Sequence, residues 1–131
     1  MKEVLEQISN KFKIFKGNGA SADEVKAAED QLGVAFPEEY VQYLRECGIL
    51  SFGAHELFGL GVSGYLNVVE ATEAERKIGR GLPAGCFVIE NLGIDGVLIV
   101  MDAMGNVFSI QGDAKRQIAS SFVAYLGSLI R

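Results

Sequence analysis

Catalysis by an activated nucleophile needs a base beside it, and this 131-residue sequence contains one histidine, His55, with no serine in a Gly-x-Ser-x-Gly setting. His55 is expected on a loop. A zinc site needs several Cys or His ligands at close spacing, and Cys47 and Cys86, 39 residues apart with that one histidine, do not supply one. The expectation is therefore no metal and no cofactor, with both cysteines buried as small hydrophobes. Carboxylates occur in adjacent pairs, Asp23-Glu24, Glu29-Asp30 and Glu38-Glu39, but neighbours on a helix point in different directions and so read as surface charges, not a catalytic dyad. Acid/base work by Glu90, Asp95 and Asp102 stays open as the reading of the chain as a small enzyme. Gly59-x-Gly61-x-x-Gly64 matches the letters of a dinucleotide loop, yet it lacks the hydrophobic strand before it and the long helix opening directly from it.

Charge narrows the partners more than it narrows the chemistry. The net charge is −5. The segment from Ala20 to Glu56 holds eight acids (Asp23, Glu24, Glu29, Asp30, Glu38, Glu39, Glu46, Glu56) against Lys26 and Arg45, a balance of −6. Such a face repels nucleic acid and anionic lipid and attracts a basic partner; it is equally the solvated side of two amphipathic helices. Apolar residues at 49% exclude a disordered chain, and runs such as 97–101 are too short to span a bilayer. The opening Met1-Lys2-Glu3-Val4-Leu5-Glu6 lacks the uninterrupted apolar centre of a secretory signal, which with the two cysteines predicts a cytoplasmic protein.

The elements that must position these groups follow from periodicity. Val4, Leu5, Ile8, Phe12 and Phe15 share one face of a helix over roughly residues 2 to 14. Ser21 and Glu24 form a capping box for a second helix that Gly33 ends, and Pro37 starts a third with Glu38 and Glu39 in its first turn. Gly48 closes that helix. Leu57-Phe58 suggests a short strand between glycine turns, and Asn67 with Glu70 caps a fourth helix ending near Gly79. Arg76, Lys77 and Arg80 make a basic cluster beside it, explained by a helix C-terminus. Cys86 to Asn91, Val97 to Met101 and Val107 to Gln111 read as strands, the last two joined by the turn residues Asp102 to Asn106. Ser120 or Ser121 caps a final helix. The predicted order is α-α-α-β-α-β-β-β-α: an α+β chain, helix-rich in its first half, strand-rich in its second, with helices packed on an antiparallel sheet.

Leu32-Gly33-Val34-x-Phe36-Pro37-x-x-Tyr40-x-x-Tyr43-Leu44, the closing Gly48, Phe52-Gly53, Leu57-Phe58-Gly59-Leu60, the hairpin Leu98-x-x-Met101-Asp102-x-x-Gly105-x-Val107 and the terminal Ile118-Ala119-Ser120-Ser121-Phe122-x-x-Tyr125-Leu126 together resemble the SUKH superfamily, the Smi/Knr-like domains. The resemblance covers roughly residues 20 to 131, within one domain expected over 1–131. Phe36 stands where the family usually has Leu, and Leu92-Gly93-Ile94-Asp95-Gly96 is more apolar than in many members.

The resemblance implies a non-enzymatic binding domain. Bacterial members are similar to immunity proteins that neutralise a cognate toxin, often a nuclease, and fungal relatives act as regulatory scaffolds. A basic nuclease surface would suit the acidic segment, with Asp30, Glu38, Glu39, Glu46 and Glu56 as candidate contacts and no direct binding of nucleic acid or membrane. The alternative implied by the same fold is a module that takes a peptide or small ligand in a groove between sheet and helices. Oligomeric state is not specified by any of these features.

Overall fold

A computed structural model describes residues 1–79 and 81–131; Arg80, assigned above to the basic cluster, lies outside the described residues. Helix α1 spans Lys2–Lys11 and buries Val4 and Ile8. It stops short of the expected end, because Ile14–Lys16 leave the helix to pair as strand β1, and Phe15 is consequently 62% exposed instead of lying on a helix face. Sheet hydrogen bonds to a distant strand outweigh local helical periodicity here.

Helix α2, Ala22–Leu32, opens with the complete Ser21–Glu24 capping box and closes on Gly33 at φ 68°, a left-handed conformation that glycine takes without a Cβ clash. The link to α3, Glu38–Glu46, is held by Glu29, whose Oε2 accepts from the Phe36 N–H at 2.7 Å. Pro37 precedes the first helical residue by one position, φ −58° and ψ 152°, and its carbonyl accepts from Val41. Strands β2, Leu50–Phe52, and β3, His55–Leu57, form a hairpin where a lone strand was expected, and β1-β2-β3 is an antiparallel sheet.

Helix α4, Val68–Ile78, follows with Asn67 Oδ1 accepting from the N–H groups of Val69 and Glu70; the Glu70 carboxylate turns away to the Gly64 N–H, so the reciprocal half of a capping box is not made. Strands β4 (Phe87–Asn91), β5 (Leu98–Met101), β6 (Val107–Gln111) and β7 (Ala114–Ala119) form a second antiparallel sheet in sequential order. Strand β7 escapes sequence reading because it is a polar edge strand, Lys115, Arg116 and Gln117 being exposed. Helix α5, Phe122–Leu129, is capped by Ser121 and packs on α1, α3 and β7.

One contiguous core joins these parts. At its centre Phe36, Tyr40, Tyr43, Phe87 and Phe122 stack at centroid separations of 4.8 to 5.4 Å, so the Phe at position 36 fills an aromatic slot against Phe87 and Tyr40. Both cysteines are buried and free, and burial pushes their thiols up, which keeps them protonated and unreactive. Gly59 has no room for a side chain: a Cβ would lie 1.6 Å from the Gly48 carbonyl oxygen. The glycine run from 59 to 64 therefore begins as a close crossing of two backbones.

Candidate functional site

The edges of the two sheets meet at β4. Its register on β5 jumps between Val88 and Glu90, leaving Ile89 as an extra residue whose carbonyl accepts from the Phe58 N–H at the end of β3, at 2.8 Å. Thr72 Oγ1 of α4 takes the Val88 N–H at 3.0 Å. Backbone groups on the outer edge of β4 are thus satisfied by β3 and α4, and the bulge re-aims the residues around it.

One of those residues is Glu90, a carboxylate 1% exposed in an apolar strand. Its Oε1 accepts from the Tyr125 hydroxyl at 2.5 Å; its Oε2 lies 2.9 Å from His55 Nδ1 and accepts from the Glu56 N–H at 3.3 Å. An ionised carboxylate only accepts, so Nδ1 carries the hydrogen. His55 is therefore on a strand and tied into the interior, not on the expected loop. The Tyr125 phenol is pushed well above its ordinary range, chiefly by burial and then by the Glu90 charge, so it stays a neutral donor. This network spans β3, β4 and α5. It fastens the two sheets and the last helix around one buried carboxylate, and the His55 side chain that takes part in it is 25% exposed. Its partners are 35 residues apart in sequence on either side of Glu90, and the one trace of it in the sequence is an acid inside the run Cys86-Phe87-Val88-Ile89-Glu90.

The other carboxylates considered for acid/base work do not join it. Asp95 lies in the turn before β5 with φ 53°, and Asp102 lies after β5, where Oδ1 accepts from the Met104 and Asn106 N–H groups to close the β5–β6 hairpin. They flank opposite ends of a four-residue strand, roughly 13 Å long. Among the described residues no group of three or more His, Cys, Asp or Glu side chains is arranged to hold a metal ion.

The five acids singled out for partner binding are dispersed. Asp30 pairs with Lys26 Nζ at 2.9 Å on the surface of α2. Glu38 and Glu46 are exposed at the two ends of α3, about 12 Å apart along its axis. Glu39 Oε1 accepts from the Val123 N–H at 3.0 Å and so holds the first turn of α5. Glu56 projects from β3, accepting from the Tyr65 hydroxyl at 2.9 Å, into a cleft of about 590 Å³ between α4 and the β4–β5 side of the second sheet. The cleft is floored by Phe58, Ala71, Val88 and Leu98 and also edged by Glu70. Of the five, Glu56 alone lines it.

Helices packed over two antiparallel sheets, fastened together at Glu90, define an α+β domain. The chain matches the SUKH_5 family, described as SMI1-KNR4 cell-wall, over residues 1–130, and it belongs to that family, within the SUKH superfamily whose fold generally serves toxin immunity. No curated protein matches it. Among solved structures it is similar to a protein from Pseudomonas syringae pv. tomato, with a TM-score of 0.79 at 14% identity, covering 98% of this chain and 97% of that one. At that identity the likeness shows the shared fold. Among the described residues no helix is long and apolar enough to cross a membrane.

Proposed function

We propose that this chain is a cytoplasmic immunity protein, one SUKH domain over residues 1–131, that binds and neutralises a cognate toxin whose surface is basic, as a nuclease surface is. The observation that carries the reading is the set of acids left exposed on adjacent helices of a SUKH chain: Asp23, Glu24 and Asp30 on α2, Glu38 and Glu46 on α3. A basic toxin approaching this face is steered by long-range attraction, and the acid groups then cover the surface that would hold phosphates.

Co-expression with the toxin domains encoded beside this gene tests it. The expected result is restored growth and a direct complex whose association rate falls as salt rises from about 50 to about 300 mM, while dissociation changes little. Failure of every neighbouring product to bind or be neutralised overturns the reading. Glu38→Lys is the cleaner charge reversal on α3, because Glu39 also holds α5 through Val123. The cleft beside Glu56 favours a second reading, a peptide-binding module of the same fold.

A further inference from the structure

The cleft between α4 and the second sheet is absorbed by neither the core nor the acidic helices. Its volume, about 590 Å³, is that of a ligand site. Its floor is apolar, and the wall at Tyr65 is an aromatic ring 65% exposed, standing edge-on to Phe58 at 6.3 Å. Asn91 and Gly93 also line the cleft, and their chain neighbours Leu92 and Ile94 are 38% and 67% exposed. An exposed aromatic ring on an apolar groove, with further exposed apolar side chains in the adjoining loop, is the signature of a surface that is covered in use.

The charge on the rim says by what. Glu56 accepts a hydrogen bond from the neutral Tyr65 hydroxyl and Glu70 one from the Gly64 N–H, so neither charge is met by a cation. Among the described residues, none lining the cleft is a lysine, arginine or histidine. An anionic occupant would meet two uncompensated carboxylates over a hydrophobic floor. A side chain with a long aliphatic stem and a cationic end matches both features at once: the stem lies on Phe58, Ala71 and Leu98, and the charge lies between Glu56 and Glu70, within reach of the Tyr65 ring.

We propose that this cleft docks a lysine- or arginine-bearing segment of a protein partner, the cationic residue being flanked by apolar ones that cover Leu92 and Ile94. The proposal rests on the reading of the chain as a binding protein, but not on the partner being a toxin. It adds to the acids of α2 and α3 a second surface, the face made by β3, α4 and the 92–96 loop, and uses Glu56 alone of the acids expected from the sequence.

The probe is a capped peptide alternating leucine and arginine, with a second peptide carrying glutamate in place of each arginine. Amide chemical shifts and fluorescence anisotropy report binding to the full chain. The expected result is shift changes concentrated at Glu56, Tyr65, Ala71, Ala74 and Gly93 with the arginine peptide and none with the glutamate peptide. Glu56→Gln combined with Glu70→Gln should weaken binding about five-fold or more. Glu38→Gln combined with Glu46→Gln, the same change in net charge away from the cleft, should leave it within about two-fold. Equal weakening by both double variants, shifts spread over α2 and α3, or no binding overturns the proposal. So does concentration-dependent self-association that Glu56→Gln with Glu70→Gln abolishes, since a second copy would then be the occupant. If a toxin is neutralised through Glu38 and Glu46 while the arginine peptide does not bind, the immunity reading stands and the cleft proposal falls. If no toxin is found while the arginine peptide still fills the cleft, the reverse holds.

Discussion

Glu90 combines two properties that are costly separately and stable together: a buried charge, and donors from two other elements that need an acceptor. Removing it strands the Tyr125 hydroxyl, the His55 Nδ1–H and the Glu56 N–H at once. Glu90→Ala is expected to lower stability by about 3 kcal/mol, measured by urea unfolding, and Glu90→Gln, which keeps shape and one acceptor, by less. Two glycines give a paired test of backbone crowding. Gly59→Ala places a methyl against the Gly48 carbonyl and should cost about 3 kcal/mol or more, whereas at Gly127, inside α5, an added Cβ meets nothing within 4 Å, and Gly127→Ala should raise stability by about 0.5 kcal/mol.

At the scale of elements, helix starts carry most of the local information. Asn67→Ala leaves the Val69 and Glu70 N–H groups without their acceptor and is expected to cost about 1 kcal/mol, with the loss seen in thermal melts. The start of α2 is sensitive to acid. Ser21, through its backbone N–H and then its hydroxyl, holds the Glu24 carboxyl below its ordinary value near 4.5. A lowered folded value means that this contribution is present above the ordinary value and is lost as pH falls through the folded one. Helicity of α2, followed by hydrogen exchange at Ala22 to Val25, should weaken below about pH 4.5, and Glu24→Gln, which removes the titrating carboxyl, should abolish that pH dependence.

At the scale of the whole molecule, the tyrosines report cooperativity. Of the four, Tyr40 and Tyr43 are buried with hydroxyls donated to the Leu57 and Phe58 carbonyls, and Tyr125 donates to Glu90. Burial holds all three well above their ordinary value of about 10. A raised folded value means that the neutral phenols support the fold fully below pH about 10, and that this support is lost as pH rises beyond it. Absorbance at 295 nm should show Tyr65 ionising alone, somewhat above its ordinary value because of Glu56, and the other three ionising together with unfolding. Independent titration of the three would mean that the aromatic centre opens locally.

The sequence by itself determined what depends on neighbours in the chain. The Ser21–Glu24 box, the Gly33 stop, the β5–β6 hairpin, the buried cysteines and the family motif are legible because capping, turns and apolar periodicity are local. The same locality hid β1 and β7, whose strand state comes from hydrogen bonds to distant partners and not from their own residues. It also placed the acids of residues 20–56 on one segment without showing that Glu29 and Glu39 hold helix ends in place while Glu56 faces a cleft. Tertiary structure decided the His55–Glu90–Tyr125 network and the cleft beside it, because each requires side chains far apart in the chain to reach one point, and only the packing of two sheets under α4 and α5 brings them there.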